Sequence, residues 1–210
     1  MYIIYIVDIY TILSNFVFFL PSIRAFHLKR YVRSIIYFIM AWASALYHMC
    51  IAFDVCLFDF QFHHYLDFFF AQFIIVMAAS YLIAFESHYE FLEYWLFLVG
   101  GIAIVVLQQL FPANLIIQAG IVAFMFVLVV GYWLIYGCLG RLPKYRWSMF
   151  TTGLALTAGS ITLFIFQDSW YQEYWLIHSI WHIAAALGQD FLLRMRLPAP
   201  RYVTAASRVI

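Results

Sequence analysis

Two histidines, His178 and His182, stand four residues apart in the run Trp-Leu-Ile-His178-Ser-Ile-Trp-His182. On a helix that spacing puts both imidazoles on one face, and helical zinc ligands use the same spacing. The run Ser44-Ala-Leu-Tyr-His48 repeats it with a hydroxyl in first place, and His63-His64-Tyr-Leu-Asp67 adds a carboxylate. Each group lies in or beside an apolar stretch, where a polar side chain is costly and needs a partner or a task. Three neutral imidazoles suit Zn²⁺. Three histidines with the fourth position left to water is the arrangement of catalytic zinc sites, whereas structural sites are closed by four protein ligands. Water held there has a pKa of about 7. A neighbouring carboxylate such as Asp67 can take its proton, and the Ser44 hydroxyl can orient it or support an oxyanion. His63 and His64 are alternative ligands, but a place in the loop ahead of an apolar run makes them interfacial residues first.

The elements that must position these groups are set by composition. Of 210 residues, 67% are apolar and 10% charged, against about 45–50% and about 25% in soluble domains. A soluble enzyme and a disordered chain are excluded. A net charge of +1 leaves no basic surface for a nucleic acid. A membrane helix needs roughly 20 apolar residues, and the sequence separates into seven such runs, at 3–22, 34–53, 65–85, 92–111, 115–138, 147–166 and 175–193. The fold class is all-α: a polytopic membrane protein with one seven-helix domain over 1–194 and a cytoplasmic tail over 195–210. No basic n-region precedes the first run, so residues 1–22 read as a retained membrane helix. Tyr and Trp at the run ends, including Tyr2, Tyr5, Tyr65, Tyr94, Trp95, Trp147, Trp170 and Trp175, are interfacial anchors.

All eleven basic residues fall in the first break (Arg24, Lys29, Arg30, Arg33), the fifth break (Arg141, Lys144, Arg146), or at and beyond the last run (Arg194, Arg196, Arg201, Arg208). Seven spans put those three places on one side. Cationic loops stay cytoplasmic, so the N-terminus is expected outside and the C-terminus inside. His48 is then about fourteen residues above the cytoplasmic start of its span, roughly 21 Å up a core of about 30 Å. His178 and His182 lie about 5–10 Å below the outer end of theirs. Asp67 begins its span at the same level, so the four groups converge in the outer third of the bilayer.

Asp190 and Arg194 are spaced for a local ion pair. Ala184 and Gly188 allow close helix approach, and Gly153 and Gly159 are expected to pack as well. Glu86, Glu90 and Glu93 read as solvated. Cys50 and Cys56 are able to pair outside the cell, while Cys138 reads as a lone apolar residue. Asp8 lies near the outer end of the first run. The inner halves of the spans offer no polar chain, which argues against a proton pathway.

The pattern Ser-x-x-x-His in the second run, Asp at the start of the third and His-x-x-x-His in the seventh resembles the CREST superfamily. That superfamily comprises alkaline ceramidases, adiponectin and progestin receptors, Per1-type lipid-remodelling proteins and the transmembrane protein 8 group. The likeness covers nearly the whole chain. The first part, through LSNFVFFLPSIRAFHLKRYVRSIIYF and SALYHMC, is most similar to the myomaker and transmembrane protein 8 group. The tail, RYVTAASRVI, departs from the cysteine-rich end of myomaker, which is suited to lipidation. Residue by residue, the resemblance implies zinc on His48, His178 and His182, with Asp67 and Ser44 beside it. It also implies a plasma-membrane protein that promotes cell–cell (myoblast) fusion, with the zinc structural or holding lipid. The ceramidase-like relatives imply a zinc-dependent hydrolase of lipid amides or esters. Either reading expects a lipid-binding cavity with zinc at its polar end. The partners expected are membrane lipids, a second copy of the chain or a fusion partner protein, and no nucleic acid.

Overall fold

Hydrocarbon offers no hydrogen bonds to a backbone, so an apolar run must satisfy its own amides, and a helix does so within one segment. The computed structural model describes residues 9–83, 90–112, 114–140, 144–166 and 173–195, and among them there is no β-strand. Seven helices follow in chain order: α1 (Ile9–His27), α2 (Tyr31–Phe53), α3 (Phe60–Ile83), α4 (Glu90–Leu110), α5 (Leu115–Cys138), α6 (Trp147–Phe166) and α7 (Tyr174–Arg194). Six of them are long and apolar enough to cross a membrane. The seventh, α7, has 21 residues, about 31 Å of helix. It owes its lower hydropathy to His178, His182, Gln189 and Asp190, all of which it buries against its neighbours.

The helices start and stop differently from the apolar runs. The first connection is only Leu28 to Arg30, closed by a bond of 2.8 Å from the Arg30 amide to the Ala25 carbonyl. Arg24 therefore belongs to α1 and Arg33 to α2. Hydropathy marks where apolar side chains end, whereas the hydrogen-bond ladder runs on to His27 in α1 and begins at Tyr31 in α2. α3 starts at Phe60 rather than 65. Asp59 caps it: its carboxylate accepts from the Gln61 amide at 3.0 Å, satisfying one of the free donors of a first turn. His63 and His64 are thus helical, which corrects their placement in a loop. The calls on Asp8, Tyr2, Tyr5, Trp170, Glu86, Arg141 and the tail, Arg196, Arg201 and Arg208 included, lie outside the described residues.

α3 is the central helix and packs against α2, α4, α5 and α7, while α1 closes the bundle against α2 and α7. α6 packs along α7, and it touches α5 where Trp133 stacks on Phe150, ring centroids 5.2 Å apart. The α6–α7 approach needs glycine. A Cβ on Gly188 would come within 2.7 Å of Thr157 Oγ1, and one on Gly153 within 3.0 Å of the Leu192 amide nitrogen. Gly159 faces open space, so the expectation that it serves packing is corrected.

Contacts sort the two ends of the bundle. At one end, Arg33 of α2 meets Glu93 of α4. Arg24 of α1 meets Asp190 of α7 at 3.3 Å, and the Arg146 amide bonds the Met195 carbonyl at 2.8 Å. The other end holds the C-terminus of α2 and the start of α7, joined by His48 and His178. It also carries a disulfide between Cys50 and Cys56, which ties the last turn of α2 to its connection with α3.

Candidate metal centre

His48 is carried by the last turns of α2, and His178 and His182 by the first turns of α7; all three are buried. The spacing read from the sequence does put His178 and His182 side by side, with ring centroids 4.5 Å apart. The His48 ring lies 4.8 Å from that of His178 and 5.4 Å from that of His182. Nε2 of His48 and Nε2 of His178 face each other at 3.0 Å. Two bare lone pairs repel at that distance, so a proton or a cation must lie between them. One nitrogen from each of the three rings falls within 4.8 Å of the others. Tetrahedral zinc, with Zn–N of about 2.0–2.1 Å, separates its ligand nitrogens by about 3.3 Å. His182 Nε2 is buried without a hydrogen-bond partner, which is what an ion's ligand looks like when only the protein is drawn. The donor set fits zinc.

Asp67, in the second turn of α3, is buried and lies beside Ser44, close enough for the two side chains to interact. Ser44 Oγ is buried beside that carboxylate and has no other hydrogen-bond partner. Among the described residues, no fourth His, Cys, Asp or Glu joins the histidine set. The structure thus brings the three histidines together and sets Asp67 beside Ser44, one turn before His48 on α2. His63 is not one of the set; its Nε2 accepts from the Phe58 amide at 3.1 Å, which fastens the connection before α3. His64 lies among Tyr47, Phe60 and Phe68.

One contributor escaped the sequence reading. Ser14 of α1 places its Oγ 2.8 Å from His182 Nδ1, and Phe18, one turn on, packs edge-on against the same ring at 6.4 Å. The available signal was Thr11, Ser14 and Asn15, three polar residues close together in an otherwise apolar span.

The opposite end corrects two further expectations. Glu93 is not solvated. It is 4% exposed and accepts from Arg33 Nε at 2.6 Å. That half of the bundle, expected to lack a polar chain, is not bare either. Arg33 Nη2 donates to Ser80 at 3.1 Å and its guanidinium lies 3.7 Å over the Tyr81 ring. The Tyr81 hydroxyl lies 3.1 Å from that of Tyr37, which donates to Gln189 at 2.8 Å. Asp190 joins Arg194, as its spacing suggested, but it also joins Arg24 of α1. Tyrosine and glutamine are weak signals in a sequence, because an aromatic at a span end or one amide in a helix is commonplace.

Between α3, α5, α6 and α7 lies a cleft lined by Gln72, Val122, Thr157, Phe164, Trp181 and Ala185, among others. Its volume is about 20 Å³, room for a single water, so the expected lipid-sized cavity is not open there. Trp181 forms the wall between cleft and metal centre, with ring centroids 4.4 Å from His182 and 5.1 Å from Phe164.

Fold and site define a helical membrane protein with a buried three-histidine centre near one end of its bundle. The chain belongs to a family described only as a protein of unknown function, DUF3522, whose model matches residues 4–183. No curated protein matches it.

Proposed function

We propose that this chain is a multi-pass plasma-membrane protein of seven spans, with its N-terminus outside, that holds Zn²⁺ on His48, His178 and His182 and hydrolyses an amide or ester bond of a membrane lipid. The observation that carries the reading is the incomplete donor set: three converging imidazoles and no fourth protein ligand among the described residues, with Asp67 and Ser44 paired one turn from His48. Zinc bound there would act as a Lewis acid, polarising a carbonyl and acidifying a water. The rest falls to this chain's own side chains. Asp67 takes the proton from the attacking water as its oxygen bonds to the carbonyl carbon. Ser44 donates a hydrogen bond to the oxygen on which charge develops. Asp67 then returns the proton to the leaving nitrogen or oxygen as that bond breaks, giving a fatty acid and an amine or alcohol.

The bond is reached from the lipid phase. The cleft between α3, α5, α6 and α7 stops at Trp181 beside the centre. A lipid tail entering there must move Trp181 or widen the cleft. In the proposed orientation this opening lies in the outer half of the bilayer. The test is purified protein in micelles with ceramide and with phosphatidylcholine, and products read by mass spectrometry. Wild type is expected to release fatty acid. Asp67→Asn should keep zinc and lose turnover, because the amide hydrogen-bonds but takes no proton. No product from either lipid class in zinc-loaded wild type would end this reading.

A second reading is favoured by the closed state of the cleft. Here the zinc is structural, and the protein promotes cell–cell fusion as the resemblance to the myomaker and transmembrane protein 8 group implies. Expression in non-fusing cells separates the two. On this reading Asp67→Asn leaves cell mixing intact while replacement of His178 and His182 abolishes it. Wild type that causes no mixing removes it.

A further inference from the structure

Ser14 Oγ has two partners, His182 Nδ1 at 2.8 Å and the Thr11 carbonyl oxygen at 2.8 Å. A carbonyl only accepts, so the single hydroxyl proton of Ser14 goes to Thr11. The bond to His182 must then be donated by the ring, and Nδ1 carries the proton. In a neutral imidazole that leaves Nε2 as a bare lone pair. Nε2 is the atom found buried with no partner. We infer that Ser14 is a positioning residue of the metal centre, which holds His182 in the Nδ1–H tautomer and so aims the Nε2 lone pair at the ion. This rests on the zinc reading given above.

Local structure supports the assignment. Ser14 stands at the point where α1 tightens into a 3₁₀ turn, Asn15–Phe18. Such a turn inside a longer helix often marks a functional position. Asn15 Nδ2 also donates to the Thr11 carbonyl, at 2.9 Å. A carbonyl oxygen has two lone pairs, so it accepts from Asn15 and from Ser14 together. A serine serving only its own helix would need the Thr11 bond and nothing else. Metal-bound histidines commonly donate their second nitrogen to an oxygen, and loss of that partner typically costs about 10–100-fold in metal affinity.

The test uses the full chain in detergent micelles, with zinc affinity read by chelator competition. His182→Ala should lose high-affinity zinc. Ser14→Ala should weaken zinc binding by about 10–100-fold, and Ser14→Thr, which keeps the hydroxyl, should restore it. Independently, nitrogen-15 NMR of histidine-labelled, metal-free wild type should show His182 protonated at Nδ1. If His182→Ala binds zinc as wild type does, the zinc reading itself fails, and this inference with it. If His182→Ala loses zinc while Ser14→Ala binds normally, the zinc reading stands and this inference fails. Should the Ser14 variants not fold, a wild-type His182 protonated at Nε2 overturns it and one protonated at Nδ1 upholds it.

Discussion

Imidazoles packed against one another in hydrocarbon share either protons or a cation, and the two cases answer differently to a chelator. With a cation, wild type should lose thermal stability when zinc is stripped. His178→Ala should start less stable and show no further loss, since the ion is already gone. The stranded polar atoms add to the cost, at about 1–3 kcal/mol each. Equal chelator response in the two proteins would refute the shared ion. The buried pair at the other end gives a second residue-scale prediction. Glu93→Ala leaves the Arg33 charge 3% exposed and should destabilise by about 3–5 kcal/mol. The double replacement Arg33→Leu, Glu93→Leu should cost much less, measured by unfolding in mixed micelles. Histidines and an aspartate were legible in the sequence because they are rare in apolar runs. Glu93 and Arg33 were misread because a charge at a run's end looks the same whether it faces water or turns inward to a partner.

At the scale of elements, number and order were legible, and lengths less so. Apolar runs record where side chains meet lipid, but caps such as Asp59 and the stems of arginines carry a helix past that point. The choice of which glycine packs was not legible, because it depends on which face of α6 meets α7. The structure makes that choice testable. Gly188→Ala pushes a methyl within 2.7 Å of Thr157 Oγ1 and 3.0 Å of the Thr157 amide nitrogen. Backbone cannot yield there as a flexible side chain can, so the change should cost about 1–3 kcal/mol. Gly159→Ala meets nothing within 4 Å and should be neutral, or stabilising by up to about 1 kcal/mol through helix propensity. Unfolding midpoints of the two variants check the contrast, and equal midpoints would show that α6 and α7 are not packed through Gly188.

For the whole molecule, two independent signs support the orientation proposed. Arg24, Arg33, Arg146 and Arg194 are held at one end by contacts among α1, α2, α4, α6 and α7, and basic ends stay in the cytoplasm. The Cys50–Cys56 disulfide lies at the other end, and disulfides persist in oxidising compartments outside the cytosol. The metal centre shares the disulfide's end, through His48 two residues before Cys50. In the proposed orientation it sits nearer the outer leaflet, where a lipid amide or ester linkage lies close to its depth. An epitope placed after Ile210 should stain only in permeabilised cells. A membrane-impermeant maleimide on intact cells should label the chain only after an impermeant reductant has opened the disulfide, and Cys50→Ser with Cys56→Ser should abolish that labelling. Staining of the epitope on intact cells would invert the molecule. The metal centre would then face the inner leaflet, and any lipid it acts on would have to come from the cytoplasmic side.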